Sequence, residues 1–140
     1  MKVHLTRRYM VAASHRLHSE KLSAAENRKT YGKCNNPYGH GHNYAVEVTV
    51  SGIVNPQTGM VCDLADLDEC FRRAVLDRFD HQNLNTRPEF MDQVPTTENL
   101  VIIIYDILKR EFGGAHLDKV RIEETSNNSF EYGGEAQLSQ

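Results

Sequence analysis

His40, His42, Tyr44, Val46, Val48 and Val50 share one parity, while Ala45, Glu47 and Thr49 share the other. Alternate side chains of a strand point to opposite faces, so this row predicts a strand from about His42 to Ile53 with one apolar face. It also places two imidazoles at one end of that face. The opening stretch repeats the pattern. Val3, Leu5, Tyr9, Val11 and Ala13 fall on one side and Lys2, His4, Thr6 and Arg8 on the other, interrupted by Arg7. Continuing the parity brings His15 to the apolar side.

Residues 16–41 read as irregular, punctuated by Asn35-Asn36-Pro37, Gly39 and Gly41. After a turn at Asn55-Pro56-Gln57-Thr58-Gly59, Asp63 is suited to cap a helix whose stripe is Leu64, Leu67, Phe71, Ala74/Val75 and Arg78. Pro95-Thr96-Thr97-Glu98 opens a second helix, with Leu100, Ile103/Ile104 and Ile107/Leu108 on its buried face and Gly113-Gly114 at its end. Val120, Ile122 and Glu124 then share a strand parity. A turn at Asn127-Asn128 leads to a last strand near Ser129–Gly133.

The order β-β-α-α-β-β predicts an α+β fold: a four-stranded antiparallel sheet with two helices packed on one face. Its second face is expected to carry the histidines. Two open edges favour an oligomer that pairs edges between subunits. No repeat or linker divides the 140 residues, so one domain over 1–140 is expected.

Composition narrows the function. The longest apolar run, Leu100–Tyr105, is far short of the ~20 residues a bilayer span needs. No apolar signal segment follows Met1, and three cysteines, Cys34, Cys62 and Cys70, are an odd number, so a reducing, cytoplasmic setting with free thiols is expected. A net charge of −3 argues against nucleic acid as the main partner. Residues 16–33 depart from that balance. Arg16, Lys21, Arg28, Lys29 and Lys33 against Glu20 and Glu26 leave +3, which suits an anionic, phosphorylated substrate or simply a solvated loop.

The chemistry-bearing residues begin with Gly39-His40-Gly41-His42. Imidazoles at i and i+2 of a strand converge on one ion, and the glycines allow close backbone approach. His15 on the apolar side completes a three-histidine set with a vacant position, the composition of a catalytic zinc site; a buried core histidine is the alternative. Cys34, six residues before His40, reads as a fourth ligand, a packing residue, or a nucleophile or base whose pKa is lowered by its neighbours, Lys33 included. Asp80-His81 has the composition of a proton relay, or of a helix-terminal histidine facing the dipole. Glu124 lies on an apolar face and needs a partner, either an arginine or a ligand edge with two parallel N–H donors. Thr96-Thr97-Glu98 alone reads as a cap.

Taken together, Ala13-Ser14-His15-Arg16-Leu17, the run Lys33–Tyr44, Gly59-Met60-Val61 with Asp63-Leu64, Asp80-His81-Gln82-Asn83-Leu84, Pro95-Thr96-Thr97-Glu98-Asn99 and Glu124-Thr125 resemble the 6-pyruvoyl-tetrahydropterin synthase family, including its 6-carboxytetrahydropterin synthase branch. The resemblance implies the tunnelling fold, in which three subunits join sheets into a barrel, two trimers stack, and active sites lie at subunit interfaces. It carries Zn2+ onto His15, His40 and His42, the catalytic thiol onto Cys34, its relay onto Asp80 and His81, the pterin anchor (and a share in the relay) onto Glu124, and the pterin pocket onto Thr96 and Thr97.

The implied reaction is zinc-dependent conversion of 7,8-dihydroneopterin triphosphate to 6-pyruvoyl-tetrahydropterin, a carbon–oxygen lyase step with internal redox transfer. It needs no nicotinamide, in keeping with the lack of a dinucleotide-binding glycine loop. The alternative is the carboxy-forming, queuosine-pathway enzyme, which acts on the same substrate and releases acetaldehyde. A non-catalytic pterin- or metal-binding module is a remoter one. The Cys34-to-His40 spacer resembles the pyruvoyl-forming branch. Val11 departs from the family, which often has phenylalanine there.

Overall fold

A computed structural model describes residues 1–135. The two long alternating segments form β1 (Lys2–His15) and β2 (His40–Ile53), an antiparallel pair in register from Lys2↔Ile53 to His15↔His40. β4 (His116–Thr125) pairs with β2, and β5 (Asn128–Tyr132) with β4, both antiparallel.

The sheet has five strands where sequence periodicity predicts four; with a short β3 (Gln82–Asn83) the order is β3-β1-β2-β4-β5. The added strand, β3, runs parallel to β1 at Ala13 and Ser14. It is anchored by its approach: Asp80 Oδ1 accepts from Ala12 N–H at 2.9 Å, and His81 N–H donates to the Ala12 carbonyl at 2.5 Å. Two residues are too few to leave an alternation in the sequence.

One face of the sheet is covered by two helical segments. Asp63 caps α2 (Leu64–Phe71), its side chain accepting from Ala65 N–H; a wide π turn (Arg72–Leu76) and α3 (Asp77–Phe79) continue it. α4 (Thr97–Glu111) is capped by Thr96, whose hydroxyl accepts from Asn99 N–H at 3.1 Å. Between sheet and helices, Val11, Tyr44, Val46, Phe71, Phe79, Leu100, Ile104 and Ile122 are buried. Arg7, which interrupts the apolar row of β1, faces the helices and donates through Nε and Nη2 to both carboxylate oxygens of Asp68 on α2. Tyr9 donates to the same carboxylate and stacks on Phe71. The family's common phenylalanine position is filled by Val11, 1% exposed within this core.

Two expectations need correction. Residues 16–41 are not wholly irregular, because α1 (Ala24–Tyr31) forms there behind a reciprocal Ser23–Glu26 capping box. Its poor amphipathicity hid it from a search for apolar stripes. The three histidines are also not on the uncovered face. Ala13 pairs with His42, and Val11 with Tyr44, so His15, His40 and His42 continue the core row past the end of the helices.

Candidate active site

The end of the β1–β2 ribbon gathers three imidazoles. Their nearest ligand atoms lie within 4.8 Å of one another, and His15 Nε2 is 3.2 Å from His40 Nε2. His15 is buried and its Nδ1 lies 2.8 Å from the carbonyl oxygen of Pro95. A carbonyl only accepts, so Nδ1 carries the proton and the Nε2 lone pair faces the other two rings. Burial pushes the imidazoles of His15 and His42 below the ordinary histidine range, which keeps them neutral, as metal ligands must be. The donor set therefore suits a borderline-soft divalent ion with an open position.

Of the two glycines around His40, Gly39 is the constrained one. Its φ is +71°, and a Cβ there would sit 3.0 Å from the His15 carbonyl oxygen. Gly41 has neither restriction: a Cβ would meet only the Ala13 carbonyl, at an ordinary 3.8 Å.

Glu124 reaches the same region from β4, at a register irregularity between Glu123 and Thr125. Thr97 donates its hydroxyl to Oε2, and the Asn128 side-chain amide donates to Oε1 at 3.3 Å. Among the described residues no arginine pairs with it. Its charge acts on His15, His42, Tyr44 and Cys34 alike. Thr96 and Thr97 part company here, since the Thr96 hydroxyl is spent on the helix cap.

Cys34 lies in a tight turn (Gly32–Asn35), its carbonyl accepting from Leu17 N–H at 2.7 Å. The expectation of a lowered thiol pKa is overturned. Burial, and then the Glu124 charge, push the Cys34 thiol up, and the exposed Lys33 does not offset them.

Asp80 and His81 sit at the other side of the ribbon. Asp80 Oδ2 is 3.5 Å from His81 Nε2, and the His81 side chain is 81% exposed on a backbone with φ +59°. His81 and His42 both line a cleft of about 410 Å³ that does not include Cys34. One chain thus brings Cys34 to Glu124 and leaves Asp80-His81 facing outward.

Sequence reasoning missed two groups. The Pro95 carbonyl is backbone and leaves no residue-type signal. Tyr44, whose hydroxyl is 3.3 Å from His15 Nδ1, was within reach of parity, since it stands two residues after His42.

Known proteins resemble this chain over most of its length. The family model described as 6-pyruvoyl tetrahydropterin synthase matches residues 4–135. The 6-pyruvoyl tetrahydrobiopterin synthase of Homo sapiens is 49% identical over 132 residues, covering 94% of this chain and 91% of that one. The solved structure of Caenorhabditis elegans 6-pyruvoyl tetrahydropterin synthase superimposes with a TM-score of 0.91 at 47% identity, covering 96% of this chain and 97% of that one. A putative 6-carboxy-5,6,7,8-tetrahydropterin synthase of Archaeoglobus fulgidus is more distant, 36% identical over 109 residues, 78% of this chain and 86% of that one. With the match spanning nearly every described residue, the chain belongs to the 6-pyruvoyl tetrahydropterin synthase family.

Proposed function

We propose that this chain, as a single domain, converts 7,8-dihydroneopterin triphosphate to 6-pyruvoyl-tetrahydropterin with loss of triphosphate. The observation that carries the reading is the convergence of three imidazoles, two of which, His15 and His42, are held neutral by burial within electrostatic reach of Glu124. A zinc ion held by His15, His40 and His42 would supply Lewis acidity toward the side-chain hydroxyls of the substrate. The Glu124 carboxylate, oriented by Thr97 and Asn128, receives the two N–H donors of the pterin edge. His81, held by Asp80, takes the proton that burial and Glu124 keep on the Cys34 thiol, and the thiolate so formed removes a proton from the substrate side chain, which His81 then exchanges. Elimination releases triphosphate while the side chain is oxidised and the ring reduced, so no external electron carrier enters.

Cys34 and the Asp80-His81 pair lie on different sides of one chain. We therefore place each complete site between subunits, in a trimer or a dimer of trimers. The exposure of His81 and the separation of its cleft from Cys34 support that reading. The greater similarity to pyruvoyl-forming relatives than to the archaeal carboxy-forming one favours the pyruvoyl product.

The test is incubation with 7,8-dihydroneopterin triphosphate, with and without a zinc chelator, and mass spectrometry of the products. A chelator-sensitive 6-pyruvoyl product is expected. Carboxytetrahydropterin with acetaldehyde would move the chain to the other branch. No turnover by zinc-loaded protein would leave a binding module.

A further inference from the structure

The basic segment between His15 and Cys34 is not a loose solvated loop. Residues 16–18 are fastened to residues 33–35: Leu17 N–H donates to the Cys34 carbonyl, and Arg16 Nε to the Asn35 carbonyl at 3.2 Å. The buried Asn35 amide donates to the Leu17 carbonyl at 2.8 Å and to His18 Nδ1 at 3.2 Å. Asn27, fully buried in α1, ties that helix to Ser19, Leu22 and Ser23 through its side chain.

These contacts build a cleft of about 600 Å³ lined by Arg16, His18, Arg28 and Lys33, with no carboxylate in its wall. Its volume falls within the ~300–1,000 Å³ usual for small-molecule sites. Among the described residues, Arg16, Arg28 and Lys33 form no ion pair, whereas Arg7, Arg8, Arg72, Arg78 and Arg121 each do. The Asn35 amide on Nδ1 of His18 leaves the proton on Nε2, which faces Oε1 of the exposed Glu20 at 3.4 Å.

The cleft is next to the chemistry. Lys33 and Asn35, which flank Cys34, are in its wall, and Arg16 follows His15 directly. A smaller hollow of about 200 Å³ that touches His15 shares Arg16 and Pro37 with it, so the cleft begins one residue from the histidine cluster.

We infer that this cleft binds the polyphosphate of the substrate, with Arg16 as the fixed cation and Arg28 and Lys33 as exposed cations that close on it. The inference rests on the pterin reading above and adds the residues that hold the leaving group. Arg16, Arg28 and Lys33, clustered on a frame of buried amides and none of them paired to a carboxylate among the described residues, match a polyanion bearing several charges.

The test uses the zinc-loaded protein in magnesium buffer, with metal content verified after each titration. Inorganic triphosphate and phosphate-free 7,8-dihydroneopterin are titrated calorimetrically into the wild type, Arg28→Ala/Lys33→Ala and a control, Lys21→Ala/Lys29→Ala. The control removes equal charge from the same segment outside the cleft. Loss of two charge-assisted contacts should weaken triphosphate about 30-fold or more in the cleft variant and only about twofold in the control. Dihydroneopterin should bind all three proteins alike. Equal triphosphate binding by wild type and cleft variant, or equal loss in the control, would overturn the cleft assignment while leaving the pterin reading intact. No dihydroneopterin binding by the wild type would instead overturn the pterin reading itself, and the proposal with it.

Discussion

The Nδ1 of His15 lies 2.8 Å from the carbonyl oxygen of Pro95, the residue just before the cap of α4. This contact fixes one imidazole tautomer and ties the histidine-bearing end of β1 to the helix that supplies Thr97. The proposed zinc ligands and the proposed pterin pocket are thereby built on one support.

If the histidine cluster is the zinc site, His42→Ala should lower zinc affinity by at least about 100-fold, since a three-ligand site cannot lose one donor and hold its geometry. Zinc content after dialysis against a weak chelator reads this directly. Near-stoichiometric metal in the variant would remove His42 from the ligand set.

Gly39→Ala should damage the same site through the backbone. The residue has φ +71° and its new methyl would meet the His15 carbonyl at 3.0 Å. A left-handed non-glycine costs about 1–2 kcal/mol before the clash is counted. Gly41→Ala, lacking both constraints, should be far milder. Thermal melts of the two variants with their zinc contents provide the comparison.

Cys34 should behave as a reluctant thiol. Its pKa is raised first by burial and then by Glu124, so the neutral form persists above the ordinary thiol range. Iodoacetamide alkylation followed against pH should inflect above the value of a free cysteine. Glu124→Gln should move the inflection downward, because it removes a negative charge that opposes the thiolate. An unchanged profile in that variant would separate the two residues.

The interface placement of the site predicts complementation. Cys34→Ala and His81→Ala chains should each be inactive alone, while co-expressed mixtures should recover up to about one quarter of wild-type activity, the share of interfaces pairing an intact thiol with an intact relay. No recovery in verified mixed oligomers would return both groups to one chain.

Long elements were the legible part of this fold. β1, β2 and α4 announce themselves because period-2 and period-3.6 rows run for ten or more residues, and Asp63 and Thr96 cap as their types suggest. β3 was not legible, being two residues held by contacts of Asp80 and His81 with Ala12. α1 carries its signal only in Ser23-Ala24-Ala25-Glu26, a capping box without an apolar run behind it. In the site, parity placed His15, His40, His42 and Glu124 on the row that the structure brings together. The direction of the Cys34 shift was not readable, because Lys33 is its neighbour in sequence while burial and Glu124 decide its surroundings in space. Arg7 reads as an interruption until Asp68, sixty-one residues away, meets it.

The two bonds to the Ala12 peptide set a fixed spacing. Asp80 and His81 grip a strand residue three positions before His15, so the proposed relay and the proposed metal ligand are separated by about 10 Å of extended backbone and not by a deformable loop. In the proposed oligomer, a shift of one subunit against another carries both groups together while changing their distance to the neighbour's thiol. Loosening of the assembly should therefore slow proton transfer first and leave metal affinity untouched.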